Sequence, residues 1–201
     1  MPLLTAADQA ARELSPARVL VAGASGAGKT SAARRIAETL CIPRHELDAL
    51  HHGPGWVKRS EFESDVAAFS VEPAWVCEWQ YRSVRSLLLE RAETLVWIDV
   101  PTRTQMRQLV MRTLRRRFLR QVLWNGNREG PLWGVFTERD HIIRWGWRTR
   151  NTTAERMPLV VERYPALPVI RVKSRHDLDR WLAAVRPGGT MRAAEVPSSS
   201  E

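Results

Sequence analysis

Residues 23–30 read Gly-Ala-Ser-Gly-Ala-Gly-Lys-Thr, which is a complete G-x-x-x-x-G-K-[ST] phosphate-binding loop. The loop follows an apolar run at residues 19–22 and precedes a helical pattern at residues 31–38. A loop between a buried strand and a helix directs several backbone N–H groups, and the positive end of a helix dipole, at one point. A polyphosphate fits there, so the segment predicts a protein that binds a nucleoside triphosphate.

Each position of this loop has an expected contact with the nucleotide. Lys29 can reach the β- and γ-phosphate oxygens, and the Thr30 hydroxyl can bind Mg²⁺. Lys29 is therefore also a candidate catalytic residue, and ATP and Mg²⁺ are the expected cofactors. The expected nucleotide-binding residues are Gly23, Ala24, Ser25, Gly26, Ala27, Gly28, Lys29, Thr30 and Ser31. The pattern does not distinguish ATP from GTP.

The composition is that of an ordinary folded chain with a high positive charge. A length of 201 residues is most simply one domain, 44% of the residues are apolar, and the net charge is +9. No apolar run approaches the roughly 18 residues of a membrane span, and no signal-peptide pattern opens the chain. Cys41 and Cys77 are expected to be reduced and buried. We therefore expect a cytoplasmic protein; its oligomeric state is not indicated.

Short apolar strands alternate with helical patterns along the chain. Strands are expected at residues 19–22, 45–48, 74–77, 94–100 and 169–172. Helices are expected at about residues 30–40, 60–69, 82–91, 104–123 and 137–149, and at 177–185 after a cap at Ser174. This alternation predicts an α/β P-loop NTPase fold: a five-stranded parallel sheet, helices on both faces and a helical lid.

The same pattern predicts three regions of the chain. Residues 1–17 are expected to form a peripheral lead-in, and residues 18–186 the P-loop domain, with its lid at about 112–150. Residues 187–201, rich in small and polar residues, are expected to form a disordered tail.

Three acidic residues lie at or near the ends of predicted strands, and ligands bind beyond the carboxyl ends of parallel strands. Asp48 could accept the proton of an acceptor hydroxyl or orient that hydroxyl; the alternative is a loop-capping aspartate. Glu78 could hold Mg²⁺ or its water shell and lie in the acceptor site, or it could be a surface acid. Asp99 is expected to have a structural role, because Pro101 turns the chain immediately after it.

Arginines supply two further sets of candidates. Arg82 and Arg85 lie three residues apart near the start of a predicted helix, where they could hold an anionic acceptor group or form a solvated pair. Between Val100 and Arg128 there is no acidic residue, and the eight arginines are Arg103, Arg107, Arg112, Arg115, Arg116, Arg117, Arg120 and Arg128.

This arginine block allows three interpretations: a solvated surface, a nucleic-acid patch, or a lid that closes over the transferring phosphate. Arg112, Arg116 and Arg120 repeat every four residues and share one helix face. Arg116 and Arg128 are taken as candidate catalytic residues, although the spacing does not assign which arginine acts.

Several segments together resemble the adenylate kinase-related proteins often labelled DNA topology modulation proteins. The segments are Leu47-Asp48-Ala49-Leu50, Pro54-Gly55-Trp56, Trp75-Val76, Tyr81, residues 96–101, Leu114-Arg115-Arg116, residues 123–129 (Leu-Trp-Asn-Gly-Asn-Arg-Glu) and Trp145-Gly146-Trp147. The resemblance spans about residues 18–185. It implies a nucleoside-monophosphate-kinase-like fold, with ATP at residues 23–30 and a lid near 112–130.

A second likeness concerns the acceptor. The stretch from Leu47 to His51 is similar to the acceptor loop of small-metabolite kinases such as gluconate and shikimate kinases. In those families an aspartate at the matching place meets the acceptor hydroxyl, which implies that role for Asp48. Where the topology modulation family commonly has Asp-Gly-Asn-Tyr, this chain has Glu-Trp-Gln-Tyr at residues 78–81. A tryptophan in place of glycine implies an altered or closed acceptor pocket.

Two functions follow from these observations. The first is a kinase that transfers the γ-phosphate of ATP to a small molecule, either a nucleotide or a hydroxylated metabolite. The alternative is an ATP-responsive regulatory protein that acts on nucleic acid or DNA topology through the arginine block, without kinase turnover. The kinase is favoured, because the chain has no recognisable helix-turn-helix or zinc module and its arginines lie where a lid belongs.

Overall fold

The computed structural model describes residues 4–5, 15–119, 122, 124–127 and 142–185. Its strands are β1 (Leu4–Thr5), β2 (Arg18–Gly23), β3 (Arg44–His45), β4 (Trp75–Glu78), β5 (Thr94–Ile98) and β6 (Val169–Val172). They form one parallel sheet in the order β1-β6-β5-β2-β4-β3. The central strand β2 leads directly into the phosphate-binding loop, so the loop lies at the carboxyl edge of the sheet.

The helices of the described residues cover both faces of the sheet. They are α1 (Lys29–Leu40), α2 (Leu47–His51), α3 (Phe62–Phe69), α4 (Arg85–Arg91), α5 (Thr102–Phe118), α6 (Ile142–Arg148), α7 (Thr152–Arg163) and α8 (Arg175–Ala184). Because successive strand residues point to opposite faces, β2 contributes to two cores. Val19 and Val21 pack with α1 and α8, whereas Leu20 and Ala22 pack with α3, α4 and α7.

The predicted α/β fold, with a parallel sheet and helices on both faces, is confirmed. All of the predicted strands are present, and the two-residue strand β1 adds a sixth at the edge beside β6. The predicted strand at residues 45–48 is wrong beyond His45. Leu47 is buried in the core, and the backbone closes into the short helix α2, in which the His52 N–H donates to the Asp48 carbonyl at 3.1 Å. Asp48 therefore lies on a helix and not at a strand tip.

The sequence pattern failed to predict α7, because Pro158 lies in its interior and proline normally interrupts a helix. Burial of Met157 and Val160 holds this helix against the sheet all the same. The long arginine-rich helix ends at Phe118 and not at residue 123. Most of the predicted lead-in, the predicted tail and much of the predicted lid lie outside the described residues.

Two further expectations concern membranes and cysteines. Within the described ranges, no helix has the length and apolar character needed to cross a membrane. Cys77 is buried in β4 as expected, but Cys41 is exposed, so the expected burial is wrong for that residue. Cys41 follows the last turn of α1 in the left-handed conformation, with φ 54°, and this position leaves it outside the core.

Candidate active site

The phosphate-binding loop has the backbone geometry of an anion cradle. Gly28 precedes α1 with φ 100°, a left-handed conformation that favours glycine, and α1 begins at Lys29. The first N–H groups of a helix have no partner within it and point beyond its N-terminus. The loop and the start of α1 therefore present N–H donors to a phosphate at the carboxyl edge of the sheet.

Glu78 lies against the start of α1. It is paired in register with Val21, which places its carboxylate next to the loop that follows β2. The Thr30 hydroxyl donates to Glu78 Oε1 at 2.6 Å, and Lys29 Nζ lies 3.8 Å from Glu78 Oε2. Lys29 Nζ also donates to the Ala24 carbonyl at 3.2 Å. The two residues expected to hold Mg²⁺ thus lie together, and both offer the hard oxygen atoms that this ion prefers.

The pKa of Lys29 is shifted by burial and by several charged residues near the phosphate-binding loop. Burial is the largest influence and lowers the pKa of Lys29, while the charges of Glu78 and Asp48 raise it and that of Arg112 lowers it. The charges of Asp48 and Glu78 therefore act on the same ammonium group, although the two residues come from different elements. Among the charges that act on Lys29 is the Arg112 guanidinium, whereas the sequence pattern indicated Arg116 as the catalytic candidate of this helix.

The Asp48 carboxylate is held by the Tyr81 hydroxyl, which is itself surrounded by two histidines. The Tyr81 hydroxyl donates to Asp48 Oδ1 at 2.5 Å and lies 3.1 Å from His52 Nε2. The Tyr81 ring stacks on His51, with 4.0 Å between ring centroids. Tyr81 has φ 51°, which is uncommon for a residue with a side chain and marks a position where the surrounding structure imposes the conformation. No local pattern in the sequence links Tyr81 to Asp48, because the two residues are 33 positions apart.

Replacing Tyr81 with phenylalanine tests this contact. Burial and then the charge of Asp48 raise the pKa of Tyr81, so the neutral hydroxyl and its hydrogen bond are favoured in the fold. A hydrogen bond to a charged group contributes about 2 kcal/mol, so Tyr81→Phe should lower the free energy of unfolding by that amount in urea titrations. The loss is full below the ordinary tyrosine pKa of 10.0 and decreases as the pH rises above it. The control Tyr164→Phe should change the free energy by less than about 0.5 kcal/mol.

Trp79, which stands where the family resemblance led us to expect glycine, belongs to the core. Its side chain is 8% exposed and packs among the residues on the α3, α4 and α7 face of the sheet. Its indole N–H donates to the Arg85 carbonyl at 3.4 Å, and the Arg85 guanidinium lies 5.3 Å from the Trp79 ring centroid. The indole is thus buried in the core beneath Arg85.

Arg82 and Arg85 belong to a cluster of positive charge. Burial is the largest cause that lowers the pKa of Arg85, followed by the charges of Arg156 and Arg82. The Arg85 Nε–H is buried without a hydrogen-bond partner among the described residues. Arg156 comes from α7, which the sequence analysis did not predict, and no local signal in the sequence joins it to Arg82 and Arg85. The cluster has the composition of a site for an anion.

Helix α5 packs directly on the phosphate-binding loop. Gly26 has φ 84°, and a Cβ atom at this position would lie 2.5 Å from the Gln105 carbonyl oxygen and 2.8 Å from Leu109 Cβ. Leu109 is fully buried there, and Gly146 of α6 approaches it from the other side. Gly26 is therefore needed for helix packing as well as for access to phosphate.

Replacing Gly26 with alanine should be strongly destabilising. The left-handed backbone costs about 1–2 kcal/mol and the clash with α5 about 1–3 kcal/mol, so we expect a loss near 3 kcal/mol in chemical unfolding. Gly55→Ala is the matched control, because Gly55 also has a positive φ of 68° but has nothing within 4 Å of the added Cβ. Equal losses in the two variants would contradict the packing of α5 on the loop.

The arginines of α5 lie on two faces of the helix, one exposed and one half-buried. Arg103, Arg107, Arg115 and Arg117 are exposed, whereas Arg112 and Arg116 are half-buried. The Arg116 guanidinium lies 5.7 Å from the ring centroid of Trp124. Arg128, the other candidate catalytic arginine, lies outside the described residues, so its role stays a prediction.

Asp99 has a structural neighbour away from the loop. Its carboxylate accepts a hydrogen bond of 2.7 Å from Arg171 Nε, and the guanidinium also covers the Trp97 ring at 4.7 Å. This ion pair joins the ends of β5 and β6. It gives Asp99 the structural role that its position before Pro101 predicts.

Comparison with known proteins identifies the fold. No protein-family model matches the chain, and no curated protein matches it. Shikimate kinase from Acinetobacter baumannii in complex with shikimate is 16% identical over 86% of this chain and 92% of that chain, with a TM-score of 0.50. The fold is that of the shikimate kinase-like P-loop proteins.

Two other similar structures have TM-scores below 0.5. A gluconokinase from Sinorhizobium meliloti 1021 is 19% identical over 85% of this chain and 91% of its own, with a TM-score of 0.45. Shikimate kinase from Bacteroides thetaiotaomicron is 14% identical over 84% and 95%, with a TM-score of 0.46. The implied membership of the DNA topology modulation proteins stays a prediction.

Proposed function

We propose that the protein is a Mg²⁺- and ATP-dependent kinase that phosphorylates a hydroxyl group of a small anionic molecule. The observation that supports this most directly is the meeting of three groups at the carboxyl edge of the sheet. Lys29 Nζ of the phosphate-binding loop lies 3.8 Å from Glu78 Oε2, and the charge of Asp48, from a separate element, also acts on Lys29. Phosphoryl transfer needs a phosphate-binding cation, an Mg²⁺ site and an oriented acceptor, and these residues supply one of each.

Each residue then has a specific task. The loop from Gly23 to Ser31 binds the triphosphate through its N–H groups and Lys29. Thr30 and Glu78 would hold Mg²⁺, which would neutralise phosphate charge. The acceptor oxygen bonds to the γ-phosphorus as the bond from that phosphorus to the β–γ bridging oxygen breaks, which releases ADP. Asp48 accepts the hydroxyl proton and returns it to solvent. Arg112 supports the negative charge on the transferring group, and Arg116 and Arg128 are the further candidates from the sequence.

The arginine cluster supports an acceptor that carries its own negative charge. Arg82 and Arg85 follow Tyr81 by one and four residues, and Tyr81 contacts Asp48. Arg85 has an unpartnered buried Nε–H within the described chain and lies near two other positive groups. A carboxylate or phosphate would relieve the repulsion among them. We therefore propose an acceptor with a hydroxyl at Asp48 and an anionic group at Arg82, Arg85 and Arg156.

Replacing Arg85 with methionine should raise the acceptor KM about tenfold or more, since a charged hydrogen bond contributes about 1.5–3 kcal/mol. The KM for ATP should not change, because the proposal places Arg85 in the acceptor site and not in the phosphate-binding loop. Arg175→Met is the control, since Arg175 is exposed at the start of α8. An equal rise in both KM values would argue against an acceptor site at the cluster.

The identity of the acceptor is best sought with a panel of small molecules. ADP release from Mg²⁺-ATP should be measured with shikimate, gluconate, hexose phosphates and nucleoside monophosphates, each alongside a no-acceptor control. We expect release that depends on one class of hydroxylated anion. Release that no acceptor increases, in a folded protein that binds ATP, would contradict kinase function.

The exposed arginines of α5 offer a surface on which the alternative function, binding of nucleic acid, can be tested. Its arginines Arg103, Arg107, Arg115 and Arg117 face solvent. If this face binds DNA, the affinity in fluorescence anisotropy should fall steeply with salt and change with ATP. DNA binding that ATP alters, together with no acceptor-dependent turnover, would favour the regulatory function over the kinase.

A further inference from the structure

The short helix α2, which carries Asp48, is too short to be stable alone. An isolated helix shorter than about 12–15 residues is marginal in water, and α2 spans Leu47–His51. Its N-terminal cap residue, Glu46, provides no side-chain cap hydrogen bond. The orientation of Asp48 therefore depends on contacts from elsewhere in the chain.

Residues 124–127, Trp-Asn-Gly-Asn, supply such contacts at both ends of α2; we call them the bracing segment. At the start of α2, the indole N–H of Trp124 donates to Glu46 Oε2 at 2.7 Å. At the end, Asn125 Nδ2 donates to the carbonyls of Ala49, at 3.2 Å, and His52. The carbonyls of the last helical turn lack partners within a helix, so the Asn125 amide acts as a cap from a distant part of the chain.

Asn127 extends the brace to the loop that follows α2. Its Oδ1 accepts the backbone N–H of Trp56 at 3.0 Å, and its Nδ2 donates to the carbonyls of Gly53 and Trp124, each at 2.9 Å. The side chain is 5% exposed. Its donors and its acceptor are thus engaged inside the protein, and a residue without an amide would leave buried backbone groups unsatisfied.

The bracing segment also touches the arginine-rich helix. Arg116 of α5 covers the Trp124 ring, and Arg112, one turn earlier, acts on Lys29. The segment consequently contacts both α5, which packs on the phosphate-binding loop, and α2, which carries Asp48.

We propose that Trp124, Asn125 and Asn127 are positioning residues that hold α2 and so fix the Asp48 carboxylate for the acceptor hydroxyl. The inference rests on the proposed kinase function. Since a displacement of about 1 Å in an active site can cost a hundredfold in rate, such a brace has a direct effect on turnover.

The position of Asp48 can be monitored without an activity assay, because the Tyr81 hydroxyl donates to its carboxylate and the NMR signal of Tyr81 reports on that hydrogen bond. The chain has 2 tyrosines, so protein labelled with [¹³Cζ]tyrosine gives one signal each for Tyr81 and Tyr164. Tyr81→Phe assigns them. Trp124→Phe removes the indole N–H but keeps an aromatic ring under Arg116, and Asn127→Ala removes the contacts to Gly53 and Trp56.

We expect both variants to move the Tyr81 signal toward that of free tyrosine and to leave the Tyr164 signal unchanged. Their kcat/KM for the best acceptor of the panel should fall about tenfold or more, with the affinity for Mg²⁺ and the ATP analogue AMP-PNP retained. Trp147→Phe and Asn151→Ala are the controls. Trp147 is 53% exposed, and Asn151 is exposed at the start of α7 without a side-chain cap.

An unchanged Tyr81 signal in Trp124→Phe would overturn the proposal. A variant whose Tyr164 signal and AMP-PNP affinity change as much as its Tyr81 signal would also overturn it, because the change would then affect the whole protein and not α2 alone. If Asn127→Ala fails to fold, the milder Trp124→Phe decides. A wild-type protein without acceptor-dependent turnover would contradict the kinase function, whereas the tyrosine signals would still report whether the brace holds Asp48.

Discussion

Replacing Lys29 with methionine is expected to lower kcat/KM for Mg²⁺-ATP by about a thousandfold or more, which is the scale of losing a preorganised charge at the reacting phosphate. The Lys29 ammonium lies 3.8 Å from Glu78 Oε2 at the start of α1, and the charge of Asp48 also raises its pKa. Methionine has a similar length but cannot neutralise phosphate oxygens. The measurements are ADP release with the best acceptor and calorimetry with Mg²⁺ and AMP-PNP.

The Lys29→Met protein should remain folded. Burial is the largest influence on Lys29 and lowers its pKa below 10.5, so the protonated amine is less favourable in the fold than in the unfolded chain. Glu78 keeps its hydrogen bonds to Thr30 and Gln80 in the variant. Because the unfolded lysine binds its proton more tightly, the wild-type protein should gain stability as the pH rises toward 10.5, and Lys29→Met should lose this gain.

Lys173→Met serves as the control for this prediction, since Lys173 is exposed after β6. It should match the wild type in turnover, AMP-PNP affinity and thermal unfolding. A folded Lys29→Met protein with wild-type turnover would remove the basis of the proposed kinase.

Replacing Asp48 with asparagine is expected to lower kcat/KM for the acceptor about a hundredfold or more, the usual scale for losing a general base. Asparagine retains the side-chain shape and an oxygen that can accept from the Tyr81 hydroxyl, so α2 should keep its position. The affinity for Mg²⁺ and AMP-PNP should stay within about twofold, because the phosphate cradle is intact.

The control for Asp48→Asn is Asp179→Asn. Asp179 forms a surface ion pair with Arg35, between α8 and α1, on the other face of the sheet. Surface pairs contribute at most about 1 kcal/mol, so turnover should be unaffected. An Asp48→Asn protein with wild-type acceptor turnover would show that Asp48 is a structural residue and that another group receives the hydroxyl.

Short-range patterns predicted the parts of the fold that depend on neighbouring residues. The phosphate-binding loop, the buried strands and the Ser174 cap, which accepts from the Asp177 N–H at 3.1 Å, each need only a few consecutive residues. The pattern failed where tertiary packing outweighs local preference. Burial of Leu47 turns a predicted strand into α2, and burial of Met157 and Val160 holds α7 together despite Pro158.

The candidate site shows the same division. Thr30 and Glu78 could be placed together from the sequence, because adjacent parallel strands bring their carboxyl ends to one edge. The hydrogen bond from Tyr81 to Asp48, and the effect of the Arg156 charge on Arg85, join residues far apart in sequence through side chains that carry no local signal. The same holds for Asn127 and Trp56, which lie 71 residues apart.

The amino-acid sequence by itself determined that residues 23–30 form a phosphate-binding loop in a parallel α/β sheet, since strand periodicity, glycine positions and helix starts act over a few residues. Only the tertiary structure decided which distant side chains surround Lys29 and Asp48. The physical reason is that hydrogen bonds and charges act through space over a few ångströms, and it is the packing of α2, α5 and α7 around the sheet that brings these groups within that distance.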